Sequence, residues 1–377
     1  MTLKLNFIGD IMLGGEFSQN YDQYRDIFVT DDLKKWLGSD PIFANLEAAA
    51  SNRGGRISNK ISVYTKKEPL EILSKLNIKC VSLANNHIMD FGLAAANDTK
   101  QILDGLEVAH TGCGSNLAEA LRPVVLNHNG HKIVFHAFSW TSRFLEKVQE
   151  ASASNPGVAP AYYELIKQSL TASKKKFPQA IQVISLHWGE GMVEYPRPDQ
   201  VEFARSLSEI GVDIIFGHHP HCIQGVEVFR NTAIIYSAGN FIASSYNRTP
   251  DKMLTYGDGW RRNRFRRERK VAVFKLEKNN VGQWTFRIKY FKQNPLRPIL
   301  EDLNSIERFN SAVSHWISSK LLSLPFYSAI FPFIRRLNEI TRLIDEIQTR
   351  NGLLKSVFKF KSYGLVLKRI IKSEDYH

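Results

Sequence analysis

The chain has 377 residues, of which 43% are hydrophobic, and it carries a formal net charge of +13 at pH 7. This composition is normal for a soluble globular protein, and three cysteines without a CxxC pair argue against a disulfide framework and favour a reducing compartment. The charge is uneven, because residues 1–245 carry 23 Lys and Arg against 25 Asp and Glu, whereas residues 246–377 carry 27 against 12.

Apolar and alternating patterns predict strands at residues 3–9, 41–45, 78–84, 108–111, 132–138, 180–186, 212–216 and 232–237. Several of these runs are continuously apolar, as in strands that are buried on both faces of a sheet. Helical patterns fall between them at residues 97–106, 161–176 and 200–210. This alternation of strands and helices predicts an α/β fold.

The character of the sequence changes in its last third. Residues 271–276 and 284–291 flank the turn at 279–282 and predict a hairpin. Helical patterns then follow at residues 306–322, 334–348 and 353–371, the last of which is basic and amphipathic. We therefore predict one large domain at residues 1–300 and a basic helical extension at residues 301–377.

Polar clusters directly follow six of the apolar runs. They are Gly9-Asp10, Asn45-Leu46-Glu47, Asn85-Asn86-His87, His187-Trp188-Gly189, Gly217-His218-His219-Pro220-His221 and Gly239-Asn240. In open α/β sheets, ligands bind outside the carboxyl ends of the strands. Asp, Glu, Asn and His gathered along that edge are the ligands of a divalent metal centre. The sequence therefore predicts a metal-dependent and hydrolytic site.

The candidate metal ligands are carboxylate, amide and imidazole groups: Asp10, Glu47, Asn86, His187, His219 and His221. This mixed set suits one or two ions of Mn, Fe or Zn better than Ca or Mg, and it lacks the thiolates of a structural zinc site. Taken singly, Asp10 also fits a turn or helix cap, and Asn86 fits an Asx-type turn. Three His residues around Pro220 have little structural use, which favours a ligand role for them. For the weaker candidates, the prediction depends on the fact that several polar clusters fall at the same place in the fold.

His87 is a candidate catalytic residue of a different kind. It directly follows Asn86 and is placed to act as a general acid, with Asp90 three residues later orienting its ring. We expect structural or solvated roles for the remaining histidines, which are His110, His128, His131, His136, His315 and His377.

Together these motifs resemble those of the CapA family, the poly-γ-glutamate capsule synthesis proteins with a calcineurin-like metallophosphoesterase fold. The matching segments are Gly9-Asp10-Ile11-Met12-Leu13-Gly14, Asn45-Leu46-Glu47, Leu83–His87 with Asp90 and Gly92, His187-Trp188-Gly189, Tyr195–Gln200, Gly217–His221 with Gln224-Gly225, and Tyr236–Phe241. The resemblance spans residues 3–245, and it is specific for the family without indicating one substrate.

The resemblance implies a four-layer α/β/β/α sandwich of the metallophosphatase type, followed by the basic C-terminal hairpin and helical extension. The ligands it implies are Asn86, His187, His219 and Glu47 for one ion, and Asp10, His221 and the bridging Glu47 for a second, weaker ion. The wider superfamily begins with Asp-x-His, whereas this chain has Met12 in place of that His. Gly15 and Gly191 replace an Arg and an acidic residue that are frequent in the family, which leaves the substrate open.

The basic excess suggests anionic partners. Residues 261–270 form a dense run of Arg and Lys, which fits either a solvated loop or an arm that binds an anionic polymer or phospholipid. No nucleic-acid-binding motif accompanies the run, which argues against nucleic acid. The tail at 353–371 suits peripheral membrane docking or packing as a terminal helix on the core.

Three functions remain open from the sequence. The first is metal-dependent hydrolysis or transfer at an amide or phosphoester bond of an anionic polymer such as poly-γ-glutamate, with His87 protonating the leaving group. The second is a metal-dependent peptide epimerase of the lasso-peptide maturation type, in which His87 and His218 exchange the α-proton. The third is a non-catalytic assembly factor that binds the polymer. We favour the first.

The expected location is the cytoplasm, with membrane association through the basic C-terminal part. The first strand begins at residue 3, without the basic, apolar and cleavage regions of a signal peptide. No apolar run approaches the roughly 20 residues that span a bilayer.

Overall fold

The computed structural model describes residues 2–26, 30–55, 62–140, 148–243, 270–293, 300–302, 319–322, 327–329 and 331–335. The basic run at 261–269 and the amphipathic tail at 353–371 lie outside these residues, as does most of the helices predicted at 306–322 and 334–348. None of the described helices is long and apolar enough to cross a membrane.

Strands and helices alternate along the described chain. The strands are β1 (Leu3–Met12), β2 (Ile42–Leu46), β3 (Ala49–Ala50), β4 (Tyr64–Thr65), β5 (Ile78–Ser82), β6 (Ala109–Thr111), β7 (Cys113–Gly114), β8 (Val124–His128), β9 (His131–Ser139), β10 (Gly157–Val158), β11 (Ile181–His187), β12 (Ile214–His218), β13 (Val226–Phe229), β14 (Thr232–Ile235), β15 (Asn240–Ala243), β16 (Lys270–Lys278), β17 (Trp284–Gln293) and β18 (Leu300–Asp302). The helices are α1 (Gly15–Gln19), α2 (Tyr21–Tyr24), α3 (Asp31–Leu37), α4 (Glu71–Lys75), α5 (Gly92–Gly105), α6 (Leu117–Ala120), α7 (Tyr163–Lys176) and α8 (Pro198–Glu209), with a 3-10 turn at Glu68–Leu70.

The first sheet has the strand order β18-β17-β16-β1-β2-β5-β6. Strands β1, β2, β5 and β6 are parallel, whereas β16 is antiparallel to β1 and pairs with β17 in turn. Strand β15 runs parallel to β1 and pairs with its carboxyl end, beyond the part of β1 that pairs with β16. The β16–β17 pair is therefore built onto the sheet that carries the first site residues.

The second sheet has the order β13-β14-β12-β11-β9-β8. Its four inner strands β9, β11, β12 and β14 are parallel, and antiparallel strands close both edges. Each sheet therefore directs several carboxyl ends toward one edge, which confirms the predicted arrangement of an α/β protein.

The two sheets pack against each other through aromatic side chains. Phe7 of β1 lies 5.1 Å from Phe43 of β2 and 5.2 Å from Phe216 of β12, measured between ring centroids, and Phe43 lies 5.4 Å from Phe135 of β9. A second apolar cluster covers the other face of β11 and β12, where α7 and α8 pack. From the C-terminal part, the side chains of Leu321, Leu322, Tyr327, Phe331 and Ile334 join this second cluster.

The predicted strands and long helices are confirmed, with shifted ends. The helix predicted at 97–106 begins earlier, at Gly92, and the strand predicted at 3–9 continues to Met12. Asp10 consequently lies within β1, so the expectation that it follows its strand is wrong, whereas Asn45 lies within β2 as the strand predicted at 41–45 has it. The parallel partners β15 and β2 extend the hydrogen bonding of β1 past the apolar run, which only tertiary pairing could decide.

Candidate metal centre

The carboxyl ends of strands from both sheets bring the predicted site residues together. The buried side chains form two groups of three, and within each group the donor atoms all lie within 4.8 Å of one another. The first group is Asp10, His187 and His218, and the second is Glu47, His219 and His221. Both groups combine carboxylate and imidazole donors, and both are enclosed by the two sheets.

Glu47 is the most strongly constrained group of the site. Its side chain is fully buried, and neither carboxylate oxygen has a hydrogen-bond partner among the described residues. The nearest ring nitrogens are those of His187 at 3.7 Å and of His87 and His221 at 3.8 Å. Burial and the neighbouring Asp10 carboxylate raise the pKa of Glu47 well above its usual value. A buried carboxylate without a partner among the described residues is a feature that fits a cation site.

Asp10 differs from Glu47, because it has close donors. Its Oδ1 accepts a hydrogen bond from Asn45 Nδ2 at 2.8 Å, and its Oδ2 accepts one from the backbone N–H of His219 at 3.2 Å. The ring of His221 lies 3.3 Å from the same Oδ2. Burial acts against the charged form, yet His221 and the nearby His218 hold the pKa of Asp10 below its usual value. Asp10 is therefore an anion in a site that contains another carboxyl.

His187 links the two sheets. Its Nε2 lies 2.8 Å from Asn86 Oδ1, which follows β5, and its Nδ1 lies 2.9 Å from Nδ1 of His218 at the end of β12. The other ring nitrogen of His218 lies 2.6 Å from Ser185 Oγ. Burial lowers the pKa of His218 to about 4 and that of His187 well below its usual value. The two imidazoles are therefore neutral at pH 7, which is the form that binds metals.

The loop after β12 holds two histidines in a strained backbone. His219 has φ of 97° and His221 has φ of 57°, a left-handed region that residues with a Cβ adopt rarely. Such strain concentrates at functional sites because the surrounding structure must maintain it. Both ring nitrogens of His219 are buried without a hydrogen-bond partner within the described chain. His221 Nδ1 lies 2.9 Å from Asn240 Oδ1 at the start of β15.

His87 is held in one orientation beside this group. Its Nδ1 lies 2.7 Å from Asp90 Oδ2, and the same Asp90 oxygen accepts a hydrogen bond from the Val63 N–H at 2.8 Å. The backbone N–H of His87 donates to Asn85 Oδ1 at 3.0 Å. The second ring nitrogen, Nε2, consequently lies toward the centre, 3.3 Å from Asn86 Nδ2 and 3.8 Å from Glu47 Oε1.

The rim of the centre includes the loop after β11. The backbone N–H of Met192 donates to the Pro220 carbonyl at 2.8 Å, so this loop rests on the one that carries His219 and His221. Glu190 of the same loop accepts a hydrogen bond from Arg335 at 2.8 Å. Tyr327 Oη donates to the Pro196 carbonyl at 2.6 Å. Residues of the C-terminal part therefore hold the rim in place.

The donor chemistry fits a divalent cation. It combines two carboxylates, the Asn86 amide and neutral imidazoles, and the buried atoms of Glu47 and His219 lack partners among the described residues. Mn, Fe and Zn accept such a mixture of oxygen and nitrogen donors, whereas thiolates are absent from these two groups.

All nine predicted site residues lie in this centre, and their individual roles stay predictions. The members are Asp10, Glu47, Asn86, His87, Asp90, His187, His218, His219 and His221. Four residues outside the predicted set touch them: Asn45, Asn85, Ser185 and Asn240. Ser185 lies two residues before His187 on β11. Because alternate residues of a strand face the same side of the sheet, its position beside the site could have been predicted from the sequence. Asn240 was visible only as part of a polar cluster after an apolar run.

Comparisons with known proteins agree with these motifs. The profile of the bacterial capsule synthesis protein PGA_cap matches residues 4–245. The chain is 29% identical over 293 residues to the PGA biosynthesis protein CapA of Bacillus subtilis, covering 75% of this chain and 70% of that protein. It is 27% identical over 260 residues to the capsule biosynthesis protein CapA of Bacillus anthracis, covering 67% of this chain and 62% of that protein.

A more distant relative is a probable polyglutamine synthesis accessory protein of Mycobacterium tuberculosis, at 27% identity over 215 residues, or 54% of this chain and 56% of that protein. The chain thus spans less than two thirds of the length of the B. anthracis and M. tuberculosis proteins.

Among solved structures, the sulfate thiohydrolase SoxB of Thermus thermophilus aligns with a TM-score of 0.38 and 10% identity, over 80% of this chain and 45% of that chain. Vps29 of Chaetomium thermophilum aligns with a TM-score of 0.24 and 9% identity, over 78% of this chain and 100% of that chain. Both TM-scores are too low to establish a shared fold. The family profile, which matches most of the chain and includes every residue of the centre, is the decisive similarity. The chain belongs to the PGA_cap family of bacterial capsule synthesis proteins.

Proposed function

We propose that this protein is a metal-dependent hydrolase or transferase that acts at an amide bond of an anionic polymer of the poly-γ-glutamate type. The observation that carries the proposal is the buried Glu47, which lacks a hydrogen-bond partner among the described residues and lies beside an oriented His87–Asp90 pair. The names of the Bacillus and Mycobacterium relatives, which refer to capsule, PGA and polyglutamine synthesis, support a polymer of amino acids as the substrate.

The ligand set of the first subsite would be Glu47, Asn86, His187 and His219. A divalent cation held there would polarise a carbonyl and supply a water of lowered pKa. Asp90 fixes His87 by accepting from its Nδ1, so that Nε2 is the atom that exchanges a proton with the substrate. Protonation of a leaving amine by His87 would contribute about 10²–10⁴-fold to the rate. The enclosing sheets exclude bulk water from these groups, since all of them are buried.

His218 has a different role in this proposal. Its two ring nitrogens contact Ser185 Oγ and His187 Nδ1, so it is placed to orient His187. Partners of this kind fix the tautomer and direction of a metal-binding imidazole. The epimerase alternative would require a second proton carrier other than His218, and the assembly-factor alternative would require no metal.

We also propose that the domain is a four-layer α/β/β/α sandwich of the metallophosphatase type. The aromatic contacts between β1, β2, β9 and β12 support the two inner layers. Helices α7 and α8 cover the outer face of the second sheet, and α3, α4 and α5 contribute Leu33, Leu73 and Leu103 to the first apolar cluster. The domain boundary at residue 300, the cytoplasmic location and the membrane contact of the basic tail stay predictions.

The test measures metal content and polymer cleavage in the same protein. Protein purified without chelator is analysed by inductively coupled plasma mass spectrometry and then incubated with poly-γ-glutamate, and new amino termini are counted. We expect bound Mn, Fe or Zn and cleavage that is lost in His87→Gln, while metal content is retained. His110→Gln, a partly buried histidine on β6 outside the centre, serves as the matched control and should keep full activity.

Two outcomes would count against the proposal. A wild-type protein that binds no divalent metal after reconstitution would remove the centre on which the reaction depends. A His87→Gln variant that cleaves the polymer at the wild-type rate would remove His87 from the mechanism and leave the metal centre intact.

A further inference from the structure

Asn240 is a buried amide of the site that the proposed reaction does not use. It begins β15, its side chain is fully buried, and its Nδ2 has no hydrogen-bond partner within the described part of the chain. Asn240 lies opposite Asp10 in the parallel pairing of β15 with β1. The Nδ2 is a hydrogen-bond donor, so the atom of this amide that can bind a cation is Oδ1, which lies 2.9 Å from His221 Nδ1.

The backbone holds Asn240 against Asp10 at close range. The N–H of Asp10 donates to the Gly239 carbonyl at 2.8 Å, and a Cβ placed on Gly9 would lie 1.9 Å from that same oxygen. Gly239 itself has a φ of 69°. Glycine at positions 9 and 239 therefore permits the contact that brings the amide of Asn240 to the Asp10 side of the centre.

Three oxygens converge on one ring nitrogen of His221. Its Nδ1 lies 2.9 Å from Asn240 Oδ1, 3.3 Å from Asp10 Oδ2 and 3.8 Å from Glu47 Oε2. A single N–H can serve only one of these acceptors. Neighbouring ligand atoms on one ion are about 3 Å apart when the bonds are about 2.0–2.2 Å long. The separations of 2.9 Å and 3.3 Å fit donors that share a cation, as they also fit a hydrogen bond, and that of 3.8 Å is longer than either.

The donors of this second group come from separate strands and loops. The next side chains along β1 are Ile11 and Met12, which offer no hard donor, whereas an amide oxygen suits Mn²⁺ or Fe²⁺. We propose that Asn240 supplies the fourth donor of a second divalent-cation subsite, together with Asp10, Glu47 and His221. This inference depends on the metal centre of the proposed function and adds a ligand to it.

The test counts ions in matched variants. Isothermal titration with Mn²⁺ and mass-spectrometric metal analysis are applied to the wild type, Asn240→Leu and Asn6→Leu. Asn6 is a fully buried amide of the same sheet that donates to the Leu37 carbonyl at 3.0 Å, so it controls for the loss of a buried amide. We expect two ions in the wild type and in Asn6→Leu, and one ion in Asn240→Leu, with the second bound more than about 100-fold more weakly.

Each remaining outcome has a defined meaning. Two ions of unchanged affinity in Asn240→Leu would overturn the inference, and so would a wild type that binds only one ion, although the proposed function would survive both results. A wild type that binds none would overturn the proposed function as well. If Asn240→Leu does not fold, Asn240→Ala takes its place, with the same expectation of one tightly bound ion.

A crystal structure with Mn²⁺ separates ligation from mere orientation of His221. Anomalous scattering should show the second ion within bonding distance of Asn240 Oδ1, at about 2.0–2.3 Å. An ion that is bound by Asp10 and His221 while Asn240 contacts only the imidazole would overturn the assignment of Asn240 as a ligand.

Discussion

Replacing Glu47 by Gln is expected to stabilise the metal-free protein at neutral pH and to weaken its response to Mn²⁺. Burial and the Asp10 carboxylate raise the pKa of Glu47 well above its usual value, so the folded protein holds this proton more tightly than the unfolded chain. The contribution of Glu47 to the free energy of unfolding is therefore highest below its unfolded pKa of about 4.3, and it decreases as the pH rises from there through the raised value.

The size of the effect follows from the burial of the carboxyl. Each unit of raised pKa costs about 1.4 kcal/mol of stability at pH values above the raised pKa. Leaving a buried polar group without a partner costs about 1–3 kcal/mol, and this penalty is larger for a charged group than for the amide of Gln. We therefore expect the free energy of unfolding of Glu47→Gln to exceed that of the wild type by about 1–3 kcal/mol or more near neutral pH in the absence of metal.

Urea unfolding in EDTA between about pH 4 and pH 8 measures this difference, because the two proteins should converge at the acidic end. In Mn²⁺ at 100 times its Kd, the wild type should gain about 2.7 kcal/mol and the variant much less, since Gln is a poorer ligand. Glu164→Gln, on the exposed side of α7, is the control and should change neither curve. A Glu47→Gln protein that is less stable than the wild type in EDTA at about pH 8 would refute the reasoning.

Two further predictions concern packing around the centre. Gly217→Ala places a Cβ 2.1 Å from a backbone oxygen, so we expect it to lower the free energy of unfolding by at least about 1–3 kcal/mol, whereas Gly191→Ala, with open space around it, should be neutral in the same urea titration. Tyr327→Phe removes a hydrogen bond of 2.6 Å to the rim of the site, and we expect a loss of about 1 kcal/mol together with faster amide hydrogen exchange in the loop after β11. Unchanged exchange in that loop would contradict a role of the C-terminal part in holding the rim.

The centre was predictable from sequence to the extent that its residues follow apolar strands. His187 and His218 end β11 and β12, and the sheet directs both to one edge, so local pattern was enough to place them. His136 lies in a buried strand of the same sheet, yet it is not part of either donor group. The difference is position along the strand, because only residues near the carboxyl end reach the site.

The supporting contacts could not be predicted in this way. Asn45 donates to Asp10 across the β1–β2 pairing, and Asn240 reaches His221 only because β15 returns to β1. Arg335 binds Glu190 from a part of the chain that the family profile does not include. Each of these contacts joins segments that are distant in sequence, and no local periodicity encodes the pairing.

The sequence by itself determined the succession of strands and helices and the chemical types gathered at the strand ends, because both follow from periodicity and composition over a few residues. Only the tertiary structure decided which of those polar groups meet, and which are left without partners among the described residues. That outcome depends on the order of strands in two sheets and on close backbone approaches such as that of Gly9 to Gly239. The lack of hydrogen-bond partners for Glu47 within the described ranges and the placement of Asn240 are therefore properties of the fold.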